Sequence, residues 1–342
     1  MCDNSYTVTN VVSSVNGQAP VFNPNLINAW GLARSATSPW WVSSAGTGSE
    51  VILQANGNNP LTVTIPPNAL GDPASPTGIV FNQTSDFLVD GIPATFIFAS
   101  ENGTIAAWRS GLIPFSEAQI VVDRSNVGAV YKSITIGSVN GVNYLYATNF
   151  HQGTVEVFDA EFNLLFTFTD PCLAAEPLGD NQFFVPFNIQ NLDPIGTTEP
   201  SDHLYVTFAL QDPEHQDDVD GRNLGYVVVF DTRGNVVKRL VKRCHLNSPW
   251  GLARAPDNFG RFSGALLVAN FGSGTISAFD RCGEFLGRLR NADGTDLIID
   301  GLRGIAFGGG IDLPDNGDTN QLFFAAGPAL ETQGLFGYIT AN

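Results

Sequence analysis

The chain has 342 residues, 43% of them hydrophobic and only 14% charged, with 33 acidic against 16 basic side chains and a net charge of −17. That is enough apolar material for a sizeable core, while the negative surface repels phosphate backbones and argues against nucleic acid as a partner. No apolar run nears the roughly 18 residues that a membrane-spanning helix needs.

Glycine (36), proline (20) and phenylalanine (25) are abundant, a composition that reads as many short strands joined by tight turns. The chain opens "MCDNSY" and runs at once into "YTVTNVVSS", a strand-like stretch standing alone before any repeat. Six units follow. Each begins with a short apolar strand around a small residue: "AWGLA" at Gly31, "PTGIVF" at Gly78, "YKSITI" at Ser133, "PFNIQ" at Asn188, "PWGLA" at Gly251 and "LRGIAF" at Gly304, at spacings of 47, 55, 55, 63 and 53. A second strand comes next ("WWVSS", "FIFAS", "YLYAT", "HLYVTF", "ALLVAN", "QLFFAA"), then a loop and a third strand, as in "GTIAAW", "GTVEVFD", "GYVVVFD", "GTISAFD" and "GLFGYI". The clearest units add a fourth: "LTVTI", "AQIVVD", "NLLFTFTD", "VVKRLVK" and "EFLGRL". Two copies are directly alike, since "LYATNFHQGTVEVFD" (Leu145 to Asp159) and "LLVANFGSGTISAFD" (Leu266 to Asp280) agree at seven of fifteen positions.

Four antiparallel strands repeating every 40 to 60 residues or so is the pattern of a propeller blade, which must stack on neighbours to bury both faces. The sequence therefore predicts an all-β, six-bladed β-propeller forming a single domain over residues 1–342. Gly or Ser on the innermost strand, as in every unit but the Asn188 one, fits a crowded inner wall. The repeated F-D-x-x-G (Phe230-Asp231 to Gly234, Phe279-Asp280 to Gly283) predicts the turn between third and fourth strands, although Phe158-Asp159 lacks the glycine. The last unit ends on its third strand, "GLFGYITAN", so the orphan N-terminal strand is expected to complete it and close the ring, leaving no long edge open.

The segments "NPNLINAWGLARS", "NSPWGLARAPDNFGRFSGALLVANFGSGTISAFD" and "NQLFFAAGPALETQGLFG" resemble an uncharacterised bacterial family of secreted propeller-like proteins. The likeness spans almost the whole chain. More distantly, six blades resemble the superfamily of gluconolactonases, paraoxonase-like hydrolases, strictosidine-synthase-like enzymes and NHL-repeat proteins, a likeness of fold alone. The calcium-dependent hydrolases among them hold a buried ion with Glu, Asn and Asp from inner strands. Asn188 matches such a slot here, but no inner-strand Glu does.

Ligands of propellers bind over the channel mouth, where second-to-third loops and the starts of inner strands meet. That face is expected to carry Glu101, Asn102, Phe150, His151, Gln152, the long "QDPEHQDDVDGRN" (Gln211 to Asn223) and Glu331 from the loops. The inner-strand starts add Asn28, Trp30, Lys132, Asn188, His245, Asn247, Trp250 and Arg303. His151 stands where the fifth unit has Gly272, and with Glu101 from the preceding unit it forms a candidate acid/base pair. Asp218 and Asp220 alternate before a glycine, which suits a hard cation such as Ca²⁺, with Asn188 as a further ligand. "DLPDNGDTN" (Asp312 to Asn320) has similar composition but falls on the opposite face, where a cation would be structural. No G-x-S-x-G, H-E-x-x-H, P-loop or C-x-x-C occurs, so serine hydrolase, zincin and NTPase chemistry lack support, and no nucleotide or organic cofactor is indicated.

For Cys2, Cys172, Cys244 and Cys282, two disulfides (Cys172–Cys244 and Cys2–Cys282) stand as alternatives to free thiols. The start "MCDNSY" shows no signal-peptide pattern, which reads as a chain without one or a trimmed form with an added Met. Low Lys, a single Met and the N-x-T sequons at Asn82 and Asn102 favour a secreted or periplasmic protein, and a monomer is expected. Two functions stay open. One is an enzyme on a small molecule, a metal-assisted hydrolase or lyase. The other is an extracellular binding module for a glycan, peptide or wall component, with Trp30 and Trp250 as stacking surfaces.

Overall fold

The computed structural model describes residues 4–175, 177–178, 181–192, 203–311 and 313–342. The fold is a six-bladed β-propeller of antiparallel sheets, and in every blade but the sixth the strands follow in sequence order from the inner one outward. It resolves into two compact units: Met1–Thr62 with Trp250–Asn342, which holds blades one, five and six, and Val63–Pro249, which holds blades two, three and four.

In the first unit, blade five runs Pro249–Arg254, Leu266–Asn270, Thr275–Phe279, Phe285–Arg288. Blade six runs Leu302–Phe307, Leu322–Ala326, Leu335–Ala341, and its outer strand is Tyr6–Ser13, paired antiparallel from Tyr6 opposite Ala341 to Ser13 opposite Leu335. The expected closure is therefore present. Blade one is Ala29–Ala33, Trp40–Ser44, Ser49–Leu53 and Leu61–Thr64. Two apolar clusters fill this unit, one around Tyr6, Phe259, Leu267 and Ile305, the other around Val12, Trp40, Phe323 and Phe336.

The second unit stacks blade two (Pro76–Phe81, Phe96–Ser100, Thr104–Trp108, Gln119–Asp123), blade three (Tyr131–Val139, Val142–Asn149, Thr154–Phe158, Leu164–Phe168) and blade four (Phe184–Asn191, His203–Gln211, Tyr226–Asp231, Val236–Lys242). Alternating side chains interdigitate between blades three and four: Tyr146 and Val157 meet Ile189, Val206 and Phe230.

The inner strands pack backbone against backbone. A Cβ built on Gly78 would lie 2.5 Å from the Ser133 Cα, and one on Gly304 would lie 2.5 Å from the Trp30 carbonyl oxygen. That proximity is why glycine stands at these two wall positions.

The F-D-x-x-G turns form as expected. The Asp231 carboxylate accepts from the amides of Arg233 and Asn235, and Asp280 does the same for Cys282 and Glu284. Gly234 and Gly283 take φ of 84° and 89°, the left-handed region that glycine tolerates. In the copy that lacks glycine, Phe162 itself adopts φ 65°, and its ring rests 5.7 Å from that of Phe87. The turn geometry is kept at the cost of backbone strain, offset by an aromatic contact.

Among the described residues, one ionisable group is buried without a counter-charge nearby. Glu50, on the third strand of blade one, is 0% exposed and takes hydrogen bonds from Ser43 Oγ at 3.0 and 3.2 Å. Burial pushes its pKa well above the ordinary 4.5, against the smaller opposing effect of the Ser43 hydroxyl. As pH climbs past 4.5 the unfolded chain ionises here while the folded chain does not, so stability falls until the folded pKa is passed. Glu50→Gln should consequently melt higher than the parent at neutral pH, by about 1.4 kcal/mol for each tenfold difference in proton affinity, and the gap should close toward pH 4. Thermal melts across that range test it; a gap independent of pH would refute the assignment.

Candidate functional site

In the first unit, four of the sequence-predicted ligand residues come together. Arg303, immediately before the blade-six wall glycine, is 1% exposed. Its Cζ sits 3.9 Å from the Trp30 ring centre and 4.2 Å from that of Phe271, and Trp250 meets Trp30 edge-on at 5.8 Å. Its Nη1 donates to Asn28 Oδ1 at 2.8 Å and its Nη2 to Glu331 Oε1 at 2.6 Å, while Asn28 Nδ2 donates to Glu331 Oε2 at 2.8 Å. Guanidinium and amide thus form a two-donor cradle filled by a carboxylate, the arrangement in which charge-assisted hydrogen bonds are strongest. The carboxylate arrives on a strained turn. Ala329, Leu330 and Glu331 take φ of 56°, 52° and 66°, three consecutive non-glycine residues in the left-handed region, and Asn28 has φ 52°. Leu330 at the tip is 95% exposed.

The second unit builds a different centre. Lys132, the residue before the blade-three wall serine, is 1% exposed and pairs with Glu101 and, at 3.2 Å, with Asp217. Its Nζ lies 5.5 Å from the Phe150 ring centre. Burial works to lower its pKa, but Glu101, Asp217 and the nearby Asp218 together hold it above the ordinary lysine value. Lys132 is therefore a fixed cation. Below it, Glu156 is buried and accepts from Tyr131 Oη at 2.6 Å and Asn149 Nδ2 at 2.9 Å, with Arg124 at 3.1 Å. Burial, then the Glu156 carboxylate, pushes the Tyr131 phenol well up.

The candidate acid/base pair is not what the structure assembles. One Glu101 oxygen is taken by Lys132 and the other by Ser75 Oγ at 2.8 Å. His151 instead meets the His215 ring at 5.8 Å, and among the described residues no ion pair joins it to Glu101. A lysine one residue from the wall attracts the nearest carboxylate, and that is Glu101.

The proposed calcium set is dispersed as well. Asn188 Oδ1 accepts from Ser133 Oγ at 2.5 Å inside the wall; Asp218 pairs in a two-residue strand opposite Gln211, within reach of Lys132; Asp220 is exposed. Among the described residues, no group of three or more His, Cys, Asp or Glu is arranged to hold a metal ion. In the other acidic stretch Asp312 lies outside the described residues, and Asp315 accepts from Gln54 Nε2 at 2.6 Å.

Asn247 Oδ1 accepts from the Gly221 amide at 2.6 Å, which fixes a blade-linking turn, and His245 is exposed there with φ 64°. Cys172 and Cys244 are free and exposed, so Cys172–Cys244 is not bridged; Cys172 follows the helix cap Asp170 and adjoins Arg239, whereas Cys244 sits in the turn after Val236–Lys242. Cys2, and with it Cys2–Cys282, lies outside the described residues.

The sequons lose their force as glycan sites. Asn82 is 5% exposed and its Nδ2 donates to the carbonyls of Asp86 and Ala94, while Asn102 Nδ2 donates to the Asp72 carbonyl. Sequence reasoning also missed Phe271 and Ser75 as members of these centres. The signal for Phe271 was present: it is the Phe of the repeated N-F-x-x-G, whose other copy, Phe150, also lies against a buried cation.

No family model matches the chain. Two uncharacterised proteins of Acanthamoeba polyphaga mimivirus do: R648, 30% identical over 98% of this chain and 80% of the relative, and L690, 31% identical over 99% and 86%. The chain belongs to their family. The bacterial origin implied by the sequence resemblance is accordingly not supported. Among solved structures, virginiamycin B lyase from Staphylococcus aureus superposes with a TM-score of 0.57 at 11% identity, covering 98% of this chain and 99% of that one. Regucalcin from Agrobacterium tumefaciens, described as a calcium-binding protein, gives 0.51 at 11% identity over 93% and 92%. At these identities the likeness carries the fold alone. No helix among the described residues of this family member is long and apolar enough to cross a membrane.

Proposed function

We propose that this propeller is a secreted module that binds a small molecule at the Arg303 centre. The observation that carries the reading is the strained turn: three left-handed residues in succession deliver Glu331 to a buried, aromatic-covered guanidinium. Strain of that kind, of order 1–3 kcal/mol per residue, is characteristic of ligand clamps and is hard to account for in a scaffold. Binding without catalysis is favoured because Glu101 is already engaged by Lys132 and Ser75, away from His151. Arg303→Lys keeps the charge but loses the planar fork and much of the stacking. On a glycan and small-molecule array its hits should weaken about tenfold or more relative to the parent. An unchanged set of hits at unchanged affinity would overturn the reading.

A catalytic reading draws on the fold neighbours, which include a lyase and a calcium-binding protein. Under it, Ca²⁺ at the acidic Gln211 to Asn223 loop would raise the melting temperature and support turnover of a small molecule. A melting temperature indifferent to Ca²⁺ and chelator, with no turnover, would remove it. Export itself is tested by finding the protein outside the cell that makes it.

A further inference from the structure

We infer that Glu331 is an internal stand-in for the carboxylate of the ligand, which enters by displacing it from Arg303 and Asn28. This rests on the binding reading above and specifies its ligand class: a small molecule bearing a carboxylate.

The two sides of the contact are built differently. The receiving side is rigid. Arg303 is 1% and Asn28 9% exposed, and two aromatic rings cover the guanidinium. The Asn28 backbone is anchored too, its N–H donating to the Gln333 carbonyl at 2.9 Å. The delivered side is not buried. The Glu331 side chain is 42% exposed and follows Leu330, which has almost no contact with the protein. The turn is anchored before this point by the Ala329 amide on Asp300 Oδ2 at 2.8 Å, and after it by the Thr332 hydroxyl on the Ala329 carbonyl at 2.7 Å.

A guanidinium this buried strongly favours a carboxylate beside it, because the ion pair offsets the cost of desolvating the charge. Glu331 supplies that carboxylate at the expense of a left-handed turn. A carboxylate from solution would accept the same two hydrogen bonds, from Arg303 Nη2 and Asn28 Nδ2, and release the turn. Exchange conserves charge at the site: one carboxylate leaves for solvent as another enters. The ligand's remaining body would lie against the opening left by Glu331, where Leu330 already presents an apolar side chain. The net charge of −17 opposes approach of an anion, but that repulsion is largely screened at physiological salt.

Chemical rescue tests the exchange. Glu331→Ala should melt lower than the parent, and acetate or propionate at about 50 mM should restore at least half of the loss, above a sodium chloride control of equal ionic strength. Inorganic phosphate serves as the alternative oxyanion, and weaker rescue by it is expected because the cradle offers two donors in the spacing of a carboxylate. In Arg303→Met/Glu331→Ala the rescue should vanish. Absence of rescue in Glu331→Ala, or equal rescue in the double variant, overturns the inference while leaving the array result of the binding reading untouched. If Glu331→Ala does not fold, the Leu330 methyl resonances of the parent decide: a saturable shift with propionate supports displacement, and no shift refutes it.

Discussion

Deleting residues 1–13 should abolish cooperative folding, although the segment is only an N-terminal end in the chain. Tyr6–Ser13 is the outer strand of blade six, and its loss would leave Leu335–Ala341 as an open edge. The strand also supplies core. Tyr6 is 2% exposed, packs 5.1 Å from Phe259 and donates its hydroxyl to the Phe259 carbonyl at 3.2 Å. Val11 and Val12 join the cluster around Trp40 and Phe336. At about 1.5–3 kcal/mol for each buried side chain, those three alone approach the whole stability of an ordinary domain. Tyr6→Phe, which removes only the hydroxyl, should cost about 1 kcal/mol. Thermal melts and size-exclusion profiles of both forms test this; a soluble truncated chain melting within a few degrees of the parent would sink the closure scheme.

Adding one methyl group to the inner wall should be nearly as damaging. A Cβ on Gly78 would meet the Ser133 Cα at 2.5 Å, the Ile134 nitrogen at 2.8 Å and the Ser133 carbonyl carbon at 2.9 Å. All three are backbone atoms, so no rotamer change relieves the clash, and the inner strands of blades two and three must separate. Gly78→Ala is expected to cost about 3 kcal/mol or more, at the upper end of overpacking effects. The reverse change is mild. Ser133→Gly gives blade three the residue that blades one, two, five and six already have, and loses chiefly the 2.5 Å hydrogen bond to Asn188, about 1 kcal/mol. Denaturant melts of the two variants should separate clearly, and similar values for both would show that the wall is less crowded than its geometry implies.

These two sites were legible from the sequence for a shared reason. Wall glycines recur at similar spacing, and strand residues alternate with a period of two, so local pattern reports on packing. The candidate site was only partly legible. Asn28, Trp30, Trp250 and Arg303 were singled out by their place at inner-strand starts, and in the structure they form one centre. Glu101 and His151 were singled out by the same logic and go separate ways.

What the amino-acid sequence determined by itself was the main strands of the blades, their grouping into six, the N-terminal strand that completes the last one, and the turns keyed by Asp231 and Asp280. Each is written in contiguous residues, where backbone propensity and alternation act over a few positions. Tertiary structure alone decided which charges meet. Lys132 takes Glu101 and Asp217, 31 and 85 positions away, and Arg303 takes Asn28, 275 away. It also decided that Asn82 is buried, and that Phe162 and Glu331 accept left-handed backbone. Those outcomes depend on the paths of loops that carry no periodic signal. A buried cation takes whichever carboxylate the finished loops bring within reach, because leaving it unpaired costs more than straining the turn that delivers its partner.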